Sequence, residues 1–235
     1  MVLDIMRLSA SRHELLYRST ESLKNNLQFN GKIRIIFHED VLNEAASNKC
    51  IQIAQENNFD IIKSDKPNIG HGASLNWLLK QVTSKYVLNW EDDQELIRDL
   101  DLDRIIFIMD KHPDKINQVA FHKREIEKHH YDWVAEEIEL ENTKFVTNPH
   151  WAYVPALWRA EYIKPRWLGS NSGNHHWEQN AHLKKVHIDS GEMKSAKWVL
   201  ENTKTFYFGK VGEPAYVKHI GTANSLRTGE YKWMT

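Results

Sequence analysis

The sequence has little cysteine, little net charge and no long apolar run, and each shortage excludes a class of protein. Cys50 is the only cysteine among 235 residues, so an internal disulfide framework is excluded and a reducing compartment is expected. The formal net charge is −1, which provides no overall field to attract nucleic acid or an anionic membrane. No run approaches the roughly 18 apolar residues that span a bilayer, and the first residues lack the pattern of a signal sequence. We therefore expect a soluble, cytoplasmic protein without an integral membrane segment.

Two common phosphate-binding loops are also missing. No G-x-G-x-x-G follows the first predicted strand, and G-x-x-x-x-G-K-[ST] occurs nowhere in the chain. Loops of both kinds hold phosphate groups with backbone N–H groups. If this protein binds a nucleotide, a metal ion must therefore carry much of the phosphate charge.

Strand and helix patterns alternate through the first 95 residues. The predicted strands cover residues 2–6, 32–37, 59–63 and 86–88, and the predicted helices cover residues 12–27, 43–57 and 73–82. Ser11 followed by Glu14 has the spacing of a capping box at the first helix. Short connections between alternating elements favour parallel strands joined by right-handed crossovers. The sequence thus predicts an α/β fold with a central, mostly parallel sheet flanked by helices.

Three consecutive carboxylates follow the fourth predicted strand, at Glu91, Asp92 and Asp93. The residues before them, Tyr86–Leu88, favour a half-buried strand. Carboxylates at the carboxyl end of a strand in an open α/β sheet suit a hard divalent cation that also binds phosphate. A solvated acidic turn is the alternative interpretation of the same residues.

Four segments, taken in order, resemble the nucleotide-sugar-binding half of GT-A glycosyltransferases, most of all family 2. They are Ser9–Arg12 after the first strand, Glu39–Asp40 after the second, Asn68–Gly70 with Asn76 before the fourth, and Glu91–Asp93 after it. The resemblance implies a Rossmann-like GT-A fold in which residues 1–235 form a single domain. Residues 1–95 would be its nucleotide-sugar-binding half, and residues 96–235 its acceptor-binding half with a C-terminal metal-ligand segment.

The resemblance also implies roles for individual residues. Asp40 would contact the base of the nucleotide, Asp92 the ribose, and Asp93 a Mn²⁺ or Mg²⁺ ion that bridges the diphosphate. Further donor-binding residues implied by the same match are Ser9, Ser11, Arg12, Asn68, Asn76 and Glu91. The chain departs from the family in the loop after the first strand, where relatives commonly carry Pro-Thr-x-Asn and this chain carries Arg7–Arg12.

The second half is less regular. A helix is predicted at residues 96–112, and strands are predicted at residues 116–121 and 205–210. The densely charged segments 123–130 and 136–141 predict a solvated excursion such as a hairpin or a flap. A buried pattern resumes at residues 151–158.

Glu178 is the candidate general base. It opens a predicted helix, where the helix dipole favours the carboxylate form, and it follows a small, polar run that starts at Gly169. In the resembling family an acid at such a place deprotonates the acceptor hydroxyl; a glutamate chosen only to cap the helix is the alternative. Trp151 and Trp177 are candidates for stacking on an acceptor sugar, although tryptophans at this spacing also suit a core.

A C-terminal histidine returns to the metal in many GT-A enzymes. His219 with Ile220 and Gly221 resembles that segment, and an ordinary surface or core histidine is the alternative. Imidazole suits Mn²⁺ better than Mg²⁺, which prefers oxygen ligands.

These features together predict a metal-dependent, inverting glycosyltransferase that moves a sugar from a nucleoside diphosphate to an acceptor hydroxyl. Uridine diphosphate is the commonest donor nucleotide in the resembling family. The acceptor would be a carbohydrate or another hydroxyl-bearing molecule, modified nucleic acid included. One alternative is a sugar-nucleotide-forming nucleotidyltransferase, although its typical glycine-rich loop after the first strand is missing here. The other is a glycan-binding module that has lost catalysis.

Overall fold

The computed structural model describes residues 1–122, 129–130, 133–134, 136–148, 155–168 and 204–221. The helices are α1 His13–Asn26, α2 Glu44–Glu56, α3 His71–Gln81, α4 Leu102–Lys111 and α5 Ala160–Trp167. The strands are β1 Val2–Ser9, β2 Leu27–Gln28, β3 Lys32–Asp40, β4 Ile61–Asp65, β5 Tyr86–Asn89, β6 Gln94–Leu96, β7 Leu100–Asp101, β8 Gln118–Ala120, β9 His129–His130, β10 Trp133–Val134, β11 Glu136–Leu140, β12 Thr143–Asn148, β13 Ala156–Arg159, β14 Thr205–Phe208 and β15 Val217–His219.

A nine-stranded sheet forms the centre of the described chain, in the order β11-β12-β14-β8-β13-β5-β1-β3-β4. The four strands β5, β1, β3 and β4 are neighbours and all pair in parallel. Within this sheet β12 and β13 run against the other strands, because each pairs antiparallel with both of its neighbours. The predicted mostly parallel sheet flanked by helices is therefore confirmed.

Helices cover both faces of the sheet, as the apolar sequence of β1 requires. Leu3 and Ile5 point to a cluster that contains the buried side of α4, whereas Met6 and Leu8 point to a cluster that contains the buried side of α3. All four side chains are almost completely buried. Strands covered on both faces are apolar at successive positions rather than at alternate ones, which is what β1 shows.

β1 and β3 extend further than their apolar segments predict. β1 continues to Ser9 and β3 continues to Asp40, so the pair Glu39–Asp40 lies within a strand rather than after it. These polar ends stay in the sheet because their side chains are buried and hydrogen-bonded. The carboxyl ends of β1, β3 and β5 consequently meet at one edge of the sheet, which is where ligands bind in open α/β sheets.

Two local predictions are wrong. The predicted helix at residues 96–112 begins only at Leu102, where Asp101 caps it by accepting a hydrogen bond from Arg104 N at 2.9 Å. The residues before it are taken by strand pairing, β6 with β15 and β7 with β2. The capping box at α1 is also wrong, because Arg12 precedes the helix and Ser11 Oγ instead accepts hydrogen bonds from the N–H groups of Leu42 and Asn43, both at 2.9 Å.

The second charged segment forms the predicted hairpin. β11 pairs antiparallel with β12 and ends the sheet, with Glu136, Glu137 and Glu139 exposed. Charged side chains on an edge strand discourage pairing with another chain. Among the described residues, no helix is long and apolar enough to cross a membrane.

Candidate active site

The acidic turn begins where β5 leaves the sheet. Trp90 and Asp92 still donate backbone hydrogen bonds to Met6 O at 3.0 Å and Leu8 O at 3.1 Å, so the turn remains attached to β1. The Trp90 ring is fully buried, and its Nε1 donates to Gln94 O at 2.9 Å. These contacts hold the backbone of the turn against β1. The carboxylates of the turn therefore lie at the edge of the sheet.

Arg12 joins the two aspartates. Its Nε lies 3.0 Å from Asp92 Oδ2, its Nη2 bonds the other oxygen of Asp92, and its Nη1 lies 3.1 Å from Asp93 Oδ2. Although burial opposes it, the negative charge of these aspartates raises the pKa of Arg12. Arg12 reaches them from the loop between β1 and α1, which is 80 positions earlier in the chain than Asp92.

His219 meets Asp93 through strand pairing. β15 pairs antiparallel with β6, with His219 opposite Gln94, and Ile220 N donates to Asp93 O at 2.9 Å. His219 Nε2 then lies 3.2 Å from Asp93 Oδ2, and Gln94 Nε2 donates to Asp93 Oδ1 at 2.7 Å. The two residues predicted as metal ligands are therefore in contact.

Gly221 allows this close approach. A Cβ atom at Gly221 would lie 2.7 Å from both Cβ and Oδ2 of Asp93. Atoms at that distance overlap, so any larger residue would push the C-terminal segment away from the acidic turn.

Glu91 and Asp92 differ in environment. Glu91 Oε1 lies 2.8 Å from His71 Nε2 at the start of α3. Burial opposes ionisation of Glu91, but the contact with His71 lowers its pKa overall. Burial, reinforced by the charge of Asp93 and only partly opposed by Arg12, raises the pKa of Asp92 to about 7.

Arg7 is a further cation of the site that the sequence motifs do not identify. It is 1% exposed, and burial lowers its pKa to about 10 although the charges of Asp92 and Asp93 oppose the change. Its Nη2 donates to Thr20 Oγ1 at 3.5 Å, while its Nε and Nη1 have no hydrogen-bond partner among the described residues. An arginine inside the apolar run of β1 is the signal that points to it.

Asp40, at the end of β3, binds the loop that precedes α3. Its Oδ1 accepts from Ile69 N at 2.7 Å and its Oδ2 accepts from Gly70 N at 2.9 Å. Gly70 has a φ of +85°, a conformation that glycine adopts without strain. The loop that carries Asn68, which is exposed, is thereby fixed to the end of β3, and Asn76 follows half-buried on α3.

Ser9 and Ser11 lie inside the protein. Ser11 N donates to Glu39 Oε1 at 2.6 Å, and Ser11 Oγ lies 2.7 Å from Ser47 Oγ. Ser9 Oγ lies 3.7 Å from Cys50 Sγ, and both residues are fully buried. Burial raises the pKa of Glu39, which accepts hydrogen bonds from this network. The network fixes the backbone just before Arg12, and direct contact of either serine with a donor stays a prediction.

Three predicted residues, Glu178, Trp151 and Trp177, lie outside the described residues. Their roles as general base and acceptor-binding residues stay predictions.

The sequence model of the family described as Glycosyl transferase family 2 matches residues 11–163. This match covers more than half of the chain and includes the acidic turn and Arg12. The chain belongs to glycosyl transferase family 2. No curated protein matches the family 2 chain significantly.

Several solved structures share the fold of the family 2 chain. S. aureus TarS residues 1–349 in complex with UDP superimposes with a TM-score of 0.60 at 13% identity, covering 93% of this chain and 60% of that one. TarS with UDP-GlcNAc gives 0.57 at 14% identity, covering 96% and 62%. The mannosyltransferase PcManGT from Pyrobaculum calidifontis, in complex with GDP-Man and Mn²⁺, gives 0.55 at 10% identity, covering 89% and 54%. These likenesses confirm the predicted GT-A fold, and this chain spans less than two thirds of each of those chains.

Asp93 and His219 suit the cation that family 2 membership implies. Adjacent ligands in an octahedral shell with bonds of about 2.1 Å lie about 3 Å apart. The 3.2 Å between Asp93 Oδ2 and His219 Nε2 matches that spacing. Within the described ranges no group of three or more His, Cys, Asp or Glu side chains could hold a metal ion. Two protein ligands are sufficient where substrate phosphate and water complete the shell, as is common for Mg²⁺.

Proposed function

We propose that this family 2 protein is a metal-dependent, inverting glycosyltransferase that moves a sugar from a nucleoside diphosphate to an acceptor hydroxyl. The observation that carries the proposal is the meeting of Arg12, Asp93 and His219 at the carboxyl edge of the parallel strands. These are a cationic side chain, a carboxylate and an imidazole from three distant parts of the sequence. A site for a cation and a diphosphate accounts for all three.

The donor would lie along the edge of the sheet from Asp40 to Asp93. Asp40 holds the loop at Ile69 and Gly70 with both carboxylate oxygens, and each of these oxygens keeps a second lone pair that can accept from a base. Asp92, next to Asp93 in the acidic turn, is proposed to contact the ribose. We propose uridine diphosphate as the nucleotide, which agrees with the UDP and UDP-GlcNAc complexes of TarS, whereas PcManGT binds GDP-Man.

The chemistry requires that charge on the departing diphosphate be offset. A divalent cation bound by Asp93 and His219 would stabilise that charge as it develops. The buried Arg7 provides additional positive charge near the aspartates. Glu178 is proposed to take the proton from the acceptor hydroxyl during attack from the opposite face, which inverts the anomeric centre.

A donor-hydrolysis screen tests this function. UDP, GDP, CDP and dTDP sugars are incubated with the protein, with EDTA and then with excess Mn²⁺, and the released nucleoside diphosphate is measured. We expect release from one nucleotide class, loss with EDTA, recovery with Mn²⁺, and loss in Asp93→Asn. Asp99→Asn is the matched control because Asp99 is exposed six residues further on.

The other outcomes of the screen decide against the proposal. Pyrophosphate release from a nucleoside triphosphate and a sugar phosphate would identify a nucleotidyltransferase instead. Glycan binding without hydrolysis of any donor would identify a binding module. Hydrolysis that is unchanged by both EDTA and Asp93→Asn would remove the cation from the mechanism.

A further inference from the structure

Within the described part of the chain, two side chains, Arg12 and His219, contact the same oxygen of Asp93, Oδ2. Arg12 Nη1 lies 3.1 Å from this oxygen and His219 Nε2 lies 3.2 Å from it. The other oxygen, Oδ1, accepts from Gln94 Nε2 at 2.7 Å. A cation that uses Asp93 and His219 as ligands must therefore approach the oxygen that Arg12 already contacts.

Arg12 and such a cation cannot share that oxygen at low cost. Both are positive, and like charges at contact distance repel strongly where water is largely excluded. Asp92 and Asp93 are both buried, so little solvent is present to screen the repulsion. The cation would also remove charge-assisted hydrogen bonds that Arg12 makes to the aspartates.

Only one of the two arginines near the aspartates can leave them. Arg7 is 1% exposed in the middle of β1 and is enclosed by protein. The Arg12 side chain is 15% exposed, and Arg12 sits in the loop just before α1. Arg12 can therefore turn toward solvent, whereas Arg7 stays enclosed near the carboxylates.

We propose that Arg12 is a positioning residue that competes with the divalent cation for Asp93 Oδ2. This inference rests on the proposed function and extends it, because it states how binding of the cation depends on binding of the donor. In the protein alone Arg12 lowers the affinity of the Asp93 and His219 site for cations. When a nucleoside diphosphate is present, its phosphate charge accepts the displaced guanidinium, so nucleotide and cation each strengthen the binding of the other.

The experiment measures Mn²⁺ affinity without nucleotide, by the electron paramagnetic resonance signal of free Mn²⁺. Wild type is compared with Arg12→Ala, with Arg12→Gln, and with the control Arg18→Ala. Arg18 lies in α1, the helix that follows Arg12, and pairs with Glu95 at 3.1 Å, outside the contacts given for Asp93. We expect both Arg12 variants to bind Mn²⁺ about tenfold more tightly, since hydrogen bonds between charged groups are worth this much or more. Arg18→Ala should change the affinity less than about twofold, as expected for a screened surface charge.

A second titration repeats the measurement with saturating UDP as the probe. We expect UDP to increase Mn²⁺ affinity strongly in wild type and much less in Arg12→Ala. A residue that only stabilises the fold would weaken Mn²⁺ binding when removed, so tighter binding separates competition from a structural role. Thermal unfolding of each variant checks that the compared proteins are folded, and Arg12→Gln serves if Arg12→Ala is not.

Three results would overturn the inference. They are unchanged Mn²⁺ affinity in both Arg12 variants, weaker affinity in both, and no Mn²⁺ binding by any of the proteins. None of these decides whether the protein hydrolyses a donor, because that activity is measured separately. Failure of the inference and failure of the proposed function are thus distinguishable.

Discussion

His219 Nε2 lies 3.2 Å from Asp93 Oδ2 although 126 positions separate the two residues in the sequence. The contact depends on β15, which carries His219 along β6 until it stands opposite Gln94. A short antiparallel ladder thus brings a residue from the far end of the described chain to Asp93, the other proposed cation ligand.

Replacing His219 should weaken the site without unfolding the protein. We expect His219→Ala to lower Mn²⁺ affinity and Mn²⁺-dependent donor hydrolysis by about tenfold to 100-fold, since the loss of residues that merely support metal ligands already has effects of this size. The same assays on Lys218→Ala provide the control, because Lys218 is the exposed neighbour on β15. Equal effects of the two substitutions would show that the strand rather than the imidazole matters.

Adding a methyl group at Gly221 should disturb Asp93 directly. The Cβ of Gly221→Ala would lie 2.7 Å from Asp93 Oδ2, so either the C-terminal segment or the acidic turn must shift. We expect a loss of about 1–3 kcal/mol in the free energy of unfolding, as for other overpacked sites. Urea titration measures this loss, and a parallel Mn²⁺ titration should show weaker binding. Wild-type values in both titrations would mean that the two segments do not approach each other in solution.

Asp4 should be essential for stability at the opposite edge of the parallel strands. The fully buried carboxylate accepts from Arg34 Nε at 2.7 Å and from the N–H groups of Thr83 and Ser84 at 2.7 and 2.9 Å. Asp4→Ala leaves these donors without their acceptor, and we expect it to lower the free energy of unfolding by about 3 kcal/mol.

The control for Asp4 is Glu21→Ala, which removes the exposed ion pair between Glu21 and Lys24. Exposed pairs are worth less than about 1 kcal/mol, so this variant should unfold within that range of wild type in urea. A loss of less than about 1 kcal/mol in Asp4→Ala would contradict the stabilising role of Asp4.

His122 should make stability depend on pH. It lies just beyond β8 and is 5% exposed, with its ring centroid 6.0 Å from that of Tyr216. Burial lowers its pKa to about 4. The unfolded chain takes up this proton near pH 6.5, whereas the folded chain takes it up only near pH 4. Between these values the unfolded state binds more protons, so stability falls as the pH is lowered.

The pH effect of His122 can be isolated with His122→Phe, which keeps an aromatic ring at this position. From pH 8 to pH 5 we expect wild type to lose about 2 kcal/mol more unfolding free energy than the variant. Urea titrations at the two pH values measure the difference. An equal change of unfolding free energy with pH in the two proteins would show that the His122 imidazole takes up a proton as readily in the folded state as in the unfolded state.

Local patterns in the sequence predict the elements of the first half well. The alternation of apolar runs with amphipathic segments is enough to place β1, α1, β3, α2, α3 and β5, because each depends mainly on its own residues. The helix predicted from residue 96 fails for the opposite reason. Its first residues pair with β15 and β2, and these partners lie elsewhere in the chain.

The candidate site also has a part that the sequence predicted and a part that it did not. The family resemblance indicated Asp93 and His219 as metal ligands, and the structure brings the two side chains into contact. Their role as ligands stays a prediction.

The tertiary structure alone decided which cations surround Asp93. Arg12 reaches Asp92 across 80 positions, Arg7 is buried near both aspartates, and a Cβ at Gly221 would overlap Asp93. The residues next to Arg12 and Gly221 in the sequence do not predict these contacts, and the apolar run around Arg7 indicates burial but not its neighbours. The sequence by itself determines where most strands and helices of the first half form, because those depend on short-range periodicity. Which charged groups share one carboxylate oxygen depends on how the sheet brings distant segments together, and only the folded chain specifies that.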